Sequence, residues 1–144
     1  MLLSKYFNEL TVHELYELLD TRNTVFVQEQ RIIYVDTDEK DFYSKHYFWY
    51  EDGKLVSYLR VIEPGYKYPE HAISRVATRV DYRNRGLGNQ LIKQAMHDLK
   101  GYPIRISAQA YLEPFYQKLG FLRVGEPYVE EGILHVEMLA KNTD

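Results

Sequence analysis

Length and composition indicate one domain with a sizeable core. The 144 residues are 45% hydrophobic and carry a formal net charge of −3, so a single domain is expected over residues 1–144. Because the chain has no cysteine, disulfides, thiolate metal ligands and a cysteine nucleophile are excluded. A net charge of −3 gives no excess of basic residues to bind the phosphates of nucleic acid, so no nucleic-acid partner is expected. No run is long enough to cross a membrane and no leader pattern is visible, so a cytoplasmic protein is expected.

Helical signals begin close to the amino end. Residues 11–14 form a capping box, and the apolar face of the helix that follows also carries Arg22. A buried guanidinium needs a carboxylate, and we expect either Glu29, two turns further along roughly the same face, or the acidic loop 34–41 to supply it. That loop lacks the glycine and glutamate of an EF-hand. It therefore predicts an ordered acidic segment that pairs with Arg22 or borders a site for a cationic substrate.

The middle of the chain reads as strands separated by turns. An Asp-Gly pair joins strands 46–50 and 55–62 as an antiparallel hairpin. A loop rich in proline and glycine, in which we place His71, precedes a strand over 73–78.

A helix and further strands complete the pattern. The helix begins near Gly86 and is followed by a strand over 104–108, which implies a right-handed crossover and parallel pairing of the strands on either side. A short helix over 112–119, a strand from Phe121, a loop with Gly125 and Pro127, and a last strand over 133–139 follow. The predicted order β-α-β-β-β-α-β-α-β-β describes one α/β domain with a mixed sheet.

The turn that opens this helix carries the strongest chemical signal. Arg83 and Arg85 stand just before Gly86 and Gly88, and the unpaired N–H groups and dipole of a helix N-terminus suit a phosphate or pyrophosphate. The pattern differs from a dinucleotide loop, because Leu91 stands at the third glycine, and from a P-loop, because no Gly-Lys-Ser/Thr follows. A turn softened by glycine, with solvated arginines, is the alternative.

Two motifs together resemble the GNAT superfamily of acyl-CoA-dependent N-acetyltransferases. They are Arg83-x-x-Gly86-x-Gly88 after a strand and Phe115-Tyr116-Gln117-Lys118-Leu119-Gly120-Phe121 after a later strand and short helix. Four blocks resemble the ElaA-like branch of that superfamily: Arg22-x-x-Val25-Phe26-Val27-x-Glu29-Gln30, Tyr34-x-Asp36-x-Asp38, Ala108-Gln109-Ala110 and Tyr128-x-Glu130-x-Gly132-Ile133-x-His135-x-x-Met138. Leu134 and Glu39 depart from a frequent proline and glycine of that branch, in segments expected to select the substrate.

The resemblance implies a GNAT fold, an α/β domain whose mixed, mostly antiparallel sheet is flanked by helices on both faces. Acetyl-CoA would then lie between two splayed strands, 73–78 and 104–108, with its pantetheine paired along the first. The residues implied to bind this cosubstrate are Val76, Ala77, Thr78, Arg83, Asn84, Arg85, Gly86, Leu87, Gly88 and Gln109. An amide near Val76 would polarise the thioester carbonyl.

The resemblance also implies the catalytic groups. Tyr116 occupies the position of the usual general acid, and a phenol that stays protonated at neutral pH suits that role; packing under the cosubstrate is its alternative. Glu29, Glu131 and His135 are candidates for the base that deprotonates the amine. The histidines have no metal-ligand spacing, so no metal is expected.

Three functions follow from these patterns. We favour direct transfer of an acetyl group to a primary amine of a small molecule or peptide. A synthase of acyl-homoserine lactones is the second, because Arg22-x-x-x-Phe26, Asp38-x-x-Asp41 and Arg60 resemble that family faintly. The third is a CoA-binding module without catalysis. A homodimer is compatible with each.

Overall fold

The structure is a computed structural model that describes residues 1–143. Strands and helices follow one another as β1 (Leu2–Tyr6), α1 (Val12–Arg22), β2 (Ser44–Glu51), β3 (Lys54–Ile62), β4 (His71–Thr78), α2 (Leu87–Asp98), β5 (Ile104–Gln109), α3 (Glu113–Lys118), β6 (Leu122–Glu130) and β7 (Ile133–Ala140). A π-helical segment, Asn23–Glu29, continues α1. The predicted order of strands and helices is confirmed.

All seven strands form one sheet in the order β1-β2-β3-β4-β5-β7-β6. Every neighbouring pair is antiparallel except β4 and β5, which are parallel. Within residues 1–143 these two strands pair only at His71 with Ile104 and at Ala72 with Arg105. Beyond these pairs they separate, so the prediction of a mixed sheet with two splayed strands is confirmed.

The helices cover both faces of the sheet because successive side chains of a strand point to opposite faces. Leu91 and Ala95 of α2 pack in one core cluster with Leu59 of β3. Leu18 of α1 packs in a second cluster with Tyr58, the neighbour of Leu59. The expected placement of helices on both faces is therefore confirmed.

β4 contains a β-bulge opposite Leu59 of β3. Tyr58 pairs with Ala77 and Arg60 pairs with Ser74, which leaves two residues of β4 opposite Leu59. One of them, Arg75, has a φ of 56°, a left-handed conformation that residues other than glycine rarely adopt. The bulge bends β4 just beyond Ala72, the last residue of this strand that pairs with β5.

Two local predictions were wrong. His71 was placed in a loop but begins β4, where it pairs with Ile104. The predicted loop at Gly125 and Pro127 lies inside β6, which has a register irregularity between Val124 and Tyr128. β6 is an edge strand of the sheet, and edge strands and bulges are where glycine and proline are tolerated.

Candidate active site

A cleft of about 700 Å³ opens where β4 and β5 separate. Its walls come from the end of the π-helical segment, from β4 and the turn after it, from β5 and α3, and from the β6–β7 turn. Ten of the candidate residues line it, namely Glu29, Val76, Ala77, Thr78, Arg83, Asn84, Gln109, Tyr116, Glu131 and His135. The splayed strands thus bring together residues from distant parts of the sequence.

The N-terminus of α2 forms a second hollow beside this cleft. Arg83, Asn84, Gly86, Leu87 and Gly88 line this hollow, and the first two also line the cleft. Arg85 lines neither of these two cavities, because its side chain pairs with Glu51 and lies over the Tyr82 ring. The predicted basic turn therefore faces the cleft with one of its two arginines.

The two glycines of this turn have different physical roles. Gly86 caps α2 with a φ of 74°, a conformation that favours glycine. Gly88 is helical, and a Cβ atom there would meet Thr78 Oγ1 at 3.6 Å, an ordinary contact. The fold alone does not require glycine at position 88. Its missing side chain leaves the first amides of α2 open to a ligand.

Arg83 is held between the turn and the cleft by three hydrogen bonds. Its Nε donates to the carbonyl of Thr78 at 2.9 Å, and its terminal nitrogens donate to the two carboxylate oxygens of Glu29 at 2.5 and 2.7 Å. The hydrogen bonds and charge of Arg83 lower the pKa of Glu29. In the ligand-free protein Glu29 is therefore ionised and forms an ion pair with Arg83.

The predicted pairing of Arg22 with Glu29 was wrong. Arg22 donates to Asp36 Oδ2 and to Asp41 Oδ1, each at 2.6 Å. Glu29 lies in the π-helical segment, whose i→i+5 hydrogen bonds shift side chains from the positions that a regular helix would give them. Glu29 is therefore turned away from the face that carries Arg22. The alternative expectation, that the acidic loop pairs with Arg22, is confirmed.

Three arginines and three aspartates form a buried ion network between α1, the sheet and the acidic loop. Asp38 binds Arg60 at 2.6 Å, and Arg60 also reaches Asp41 at 2.9 Å. Arg75 of the bulge binds Asp36 at 3.0 Å. Arginines therefore neutralise Asp36, Asp38 and Asp41, which reduces the negative charge that this loop offers to a cationic substrate.

The network holds one wall of the cleft in place. The Tyr34 hydroxyl donates to Asp36 Oδ1 at 2.7 Å, and the Arg75 guanidinium lies 5.8 Å from the centre of the Tyr34 ring. Tyr34 lines the cleft. Sequence reasoning missed the contribution of Arg75, although an arginine between Ile73 and Val76 in a predicted strand was a visible signal that a carboxylate partner was needed.

Tyr116 lies at the inner end of the cleft and is only 6% exposed. Its ring packs edge-on against Phe115 and Phe121. Burial raises the pKa of Tyr116 to about 12, with a smaller contribution from Tyr111. No hydrogen bond joins its hydroxyl to another side chain or backbone group within residues 1–143. The structure thus presents a protonated phenol to the cleft.

His135 also lines the cleft, and its two ring nitrogens have different surroundings. Its Nδ1 lies 2.7 Å from the carbonyl oxygen of Ile133, which can only accept, so Nδ1 carries the proton in the neutral ring. Nε2 lies 4.0 Å from Glu130 Oε2. The ring stacks on Tyr128 with centroids 5.9 Å apart. This arrangement leaves Nε2 able to accept a proton.

His46 does not line the cleft and is fully buried beside the ion network. Nε2 is 3.0 Å from the Asp41 carbonyl oxygen, so it donates, and Nδ1 accepts from the Tyr58 hydroxyl at 2.5 Å. Burial lowers the pKa of His46 to about 4, with Arg22 and Arg60 acting in the same direction and Asp41 opposing them. The native state therefore holds this ring neutral.

The burial of His46 predicts a loss of stability in mild acid. Between pH 6.5 and 4 the unfolded chain binds a proton at this ring that the native state does not, so stability falls as the pH falls. We expect the free energy of unfolding to drop by ~3 kcal/mol more in the native protein than in His46→Gln over this interval. Urea titrations at several pH values would measure the difference, and parallel curves would contradict it.

Residues 1–143 hold no group of three or more histidine, aspartate or glutamate side chains placed to bind a metal ion. None of the helices over those residues is long and apolar enough to cross a membrane.

Comparison with known proteins gives one consistent family. Residues 17–141 match the model of the acetyltransferase (GNAT) domain. A UPF0039 protein of Synechocystis sp. is 38% identical, with 92% of this chain and 90% of that protein covered. Two crystal structures, each covering 97% of this chain and 98% of the other, are similar: an acyl-CoA N-acyltransferase from Pseudomonas aeruginosa (35% identity, TM-score 0.93) and Escherichia coli ElaA (32%, 0.89).

Proposed function

Because the chain belongs to the acetyltransferase (GNAT) domain family and is similar to ElaA over most of its length, we propose that it transfers an acetyl group from acetyl-CoA directly to a primary amine of a small molecule or peptide. The observation that carries the proposal is the buried phenol of Tyr116 in a cleft between two splayed strands, beside the N-terminus of α2.

The cleft offers separate places for the parts of the donor. The edge of β4 that faces β5 is without a strand partner beyond Ala72 within the described residues, so the amide groups of a pantetheine arm can pair with it as an added strand. The N–H groups at the start of α2 and the Arg83 guanidinium supply donors for a pyrophosphate. An amide in the bulged stretch around Val76 would then donate to the thioester carbonyl oxygen.

The reaction requires two proton transfers, one to the departing sulfur and one from the attacking amine. As the amine nitrogen bonds to the acetyl carbon, the carbon–sulfur bond breaks and its electron pair stays on sulfur. Tyr116 donates a proton to this sulfur, because its raised pKa keeps the phenol protonated. Nε2 of His135, or a carboxylate of Glu29 or Glu131, accepts the proton of the amine. Holding both reactants in one cleft makes the transfer nearly intramolecular.

The residues that resemble lactone synthases have another role in this structure. Arg22, Arg60, Asp38 and Asp41 bind one another in the ion network. They are therefore engaged in holding the loop against the sheet, and their presence does not favour a synthase. Binding of S-adenosylmethionine is the observation that would favour it.

The first test is thermal stabilisation by acetyl-CoA, with CoA, NAD and S-adenosylmethionine as comparison ligands. A ligand that binds only the native state raises the Tm, so acetyl-CoA and CoA should shift it and the other two should not. Release of free thiol with a panel of amines would then measure transfer. Stabilisation by CoA without thiol release from any amine would favour the binding module instead.

Replacing Arg83 with Glu together with Gly86 with Asp should abolish CoA binding in a folded protein. The change places two carboxylates where the pyrophosphate would lie, and aspartate tolerates the left-handed conformation of position 86 at a cost of about 1–2 kcal/mol. Calorimetric titration with CoA measures the loss.

The matched control changes the same residue types elsewhere. Arg123→Glu with Gly53→Asp alters an exposed arginine and a glycine with a φ of 76° in the β2–β3 turn. This control should bind CoA as the native protein does. Unchanged affinity in a folded Arg83→Glu, Gly86→Asp variant would refute the pyrophosphate assignment.

A further inference from the structure

We propose that Glu29 and the pyrophosphate of the donor are alternative partners of Arg83, so that binding of the donor releases the Glu29 carboxylate into the cleft. This inference rests on the proposed function and adds an order to it, because one candidate base becomes available only after the donor has bound.

Arg83 is placed so that its guanidinium can bind either Glu29 or the pyrophosphate of the donor. Arg83 lines the main cleft, which Glu29 also lines, and the hollow at the N-terminus of α2. Its Nε is fixed by the carbonyl of Thr78 at 2.9 Å, while the two terminal nitrogens are both used by Glu29. A phosphate group that binds the terminal nitrogens in a bidentate manner must therefore replace the carboxylate.

Because the Arg83–Glu29 ion pair is partly exposed, its replacement costs little free energy. The side chains of Arg83 and Glu29 are 33% and 38% exposed, and ion pairs at this depth contribute only a few-fold to an equilibrium. Once released, Glu29 has water available to solvate its charge. The donor loses only a small part of its binding energy in the exchange.

The exchange changes the basicity of Glu29. In the ligand-free protein Arg83 lowers the pKa of this carboxyl. When the guanidinium turns to the pyrophosphate, the pKa of Glu29 rises toward its ordinary value, and the carboxylate becomes a better proton acceptor. Binding of the donor thereby increases the basicity of Glu29, a candidate base for the acceptor amine.

Another bidentate pair provides a matched comparison. Arg105 binds both carboxylate oxygens of Glu70 at 2.9 and 3.0 Å and lowers the pKa of that carboxyl. Glu70 immediately precedes β4 and lines neither the main cleft nor the hollow. Glu70→Gln therefore removes one negative charge and breaks an arginine pair without touching the proposed exchange.

The test compares CoA affinity of the native protein, Glu29→Gln and Glu70→Gln by calorimetric titration. Removing a competitor should strengthen binding, so we expect Glu29→Gln to bind CoA about two- to fivefold more tightly. Glu70→Gln should match the native protein. If Glu29 instead served to hold Arg83 in place for the donor, Glu29→Gln would bind CoA more weakly, and equal or weaker binding overturns the inference.

Proton uptake gives an independent readout. Titrations near pH 5 in two buffers of different ionisation enthalpy should show that CoA binding takes up more protons in the native protein than in Glu29→Gln, since the CoA phosphates contribute equally to both. Equal uptake overturns the exchange. Absence of CoA binding by the native protein would overturn the proposed function as well, whereas normal CoA binding with no effect of Glu29→Gln overturns the exchange alone.

Discussion

Tyr116→Phe should lower kcat by on the order of a hundredfold while leaving the Kd of acetyl-CoA nearly unchanged. The substitution removes the only proton that Tyr116 can give to the departing sulfur. It keeps the ring that packs against Phe115 and Phe121. Because no hydrogen bond joins the hydroxyl to another group within residues 1–143, its loss leaves no buried partner unsatisfied. Steady-state rates of thiol release, with calorimetric Kd values, measure both quantities.

Two further measurements test the role of the Tyr116 hydroxyl: a control substitution at another tyrosine and the pH dependence of kcat. Tyr16→Phe, on the exposed side of α1, removes the same hydroxyl away from the cleft and should leave the rate unchanged. In Tyr116→Phe, any fall of kcat at high pH that reflects ionisation of the phenol should disappear. A variant that loses affinity for acetyl-CoA but keeps its kcat would identify Tyr116 as a packing residue.

Arg22→Ala should reduce the free energy of unfolding by about 3–5 kcal/mol. Arg22 is 0% exposed and binds both Asp36 and Asp41, so its removal leaves two buried carboxylates with fewer partners. Burial alone would raise the pKa of Asp41, but the hydrogen bonds and charges of Arg22 and Arg60 lower it. Urea unfolding at pH 7 measures the loss.

An arginine at the surface provides the control for this substitution. Arg123 also forms a bidentate pair, with Glu113, but lies in solvent on β6. Arg123→Ala should change stability little, because exposed ion pairs are weak. A similar effect of both substitutions would mean that the buried network does not stabilise the fold.

Strong periodicity explains why the order of elements could be predicted. The apolar stripe of α2 and the mostly apolar run of β3 are local patterns, and the Asp-Gly turn sets the hairpin between β2 and β3. The separation of β4 and β5 was predicted from the family resemblance and not from periodicity. The bulge at Arg75, which lies just beyond the last pair of β4 with β5, gave no visible local signal.

The electrostatic partners were harder to predict because they depend on backbone geometry. Arg22 and Glu29 would share a face of a regular helix, but the π-helical segment turns Glu29 toward Arg83. The sequence predicted that the acidic loop pairs with Arg22 or borders a site, and its aspartates are also bound by arginines from β3 and β4. Sequence spacing did not identify these further partners or the turn of Glu29 toward Arg83, since both require the positions of residues far apart in the chain.

The short join between β4 and β5 has an evolutionary consequence. Only two residue pairs within the described chain tie these strands together, whereas Ile92 and Ala95 of α2 pack in the same core cluster as Ile73 and Ile106. Side-chain volume under the sheet, rather than a ladder of backbone hydrogen bonds, therefore sets how far the strands stand apart. Mutations at Ile92 or Ala95, which do not line the cleft, would then alter the size of acyl group that is accepted without a single change among the residues that touch it.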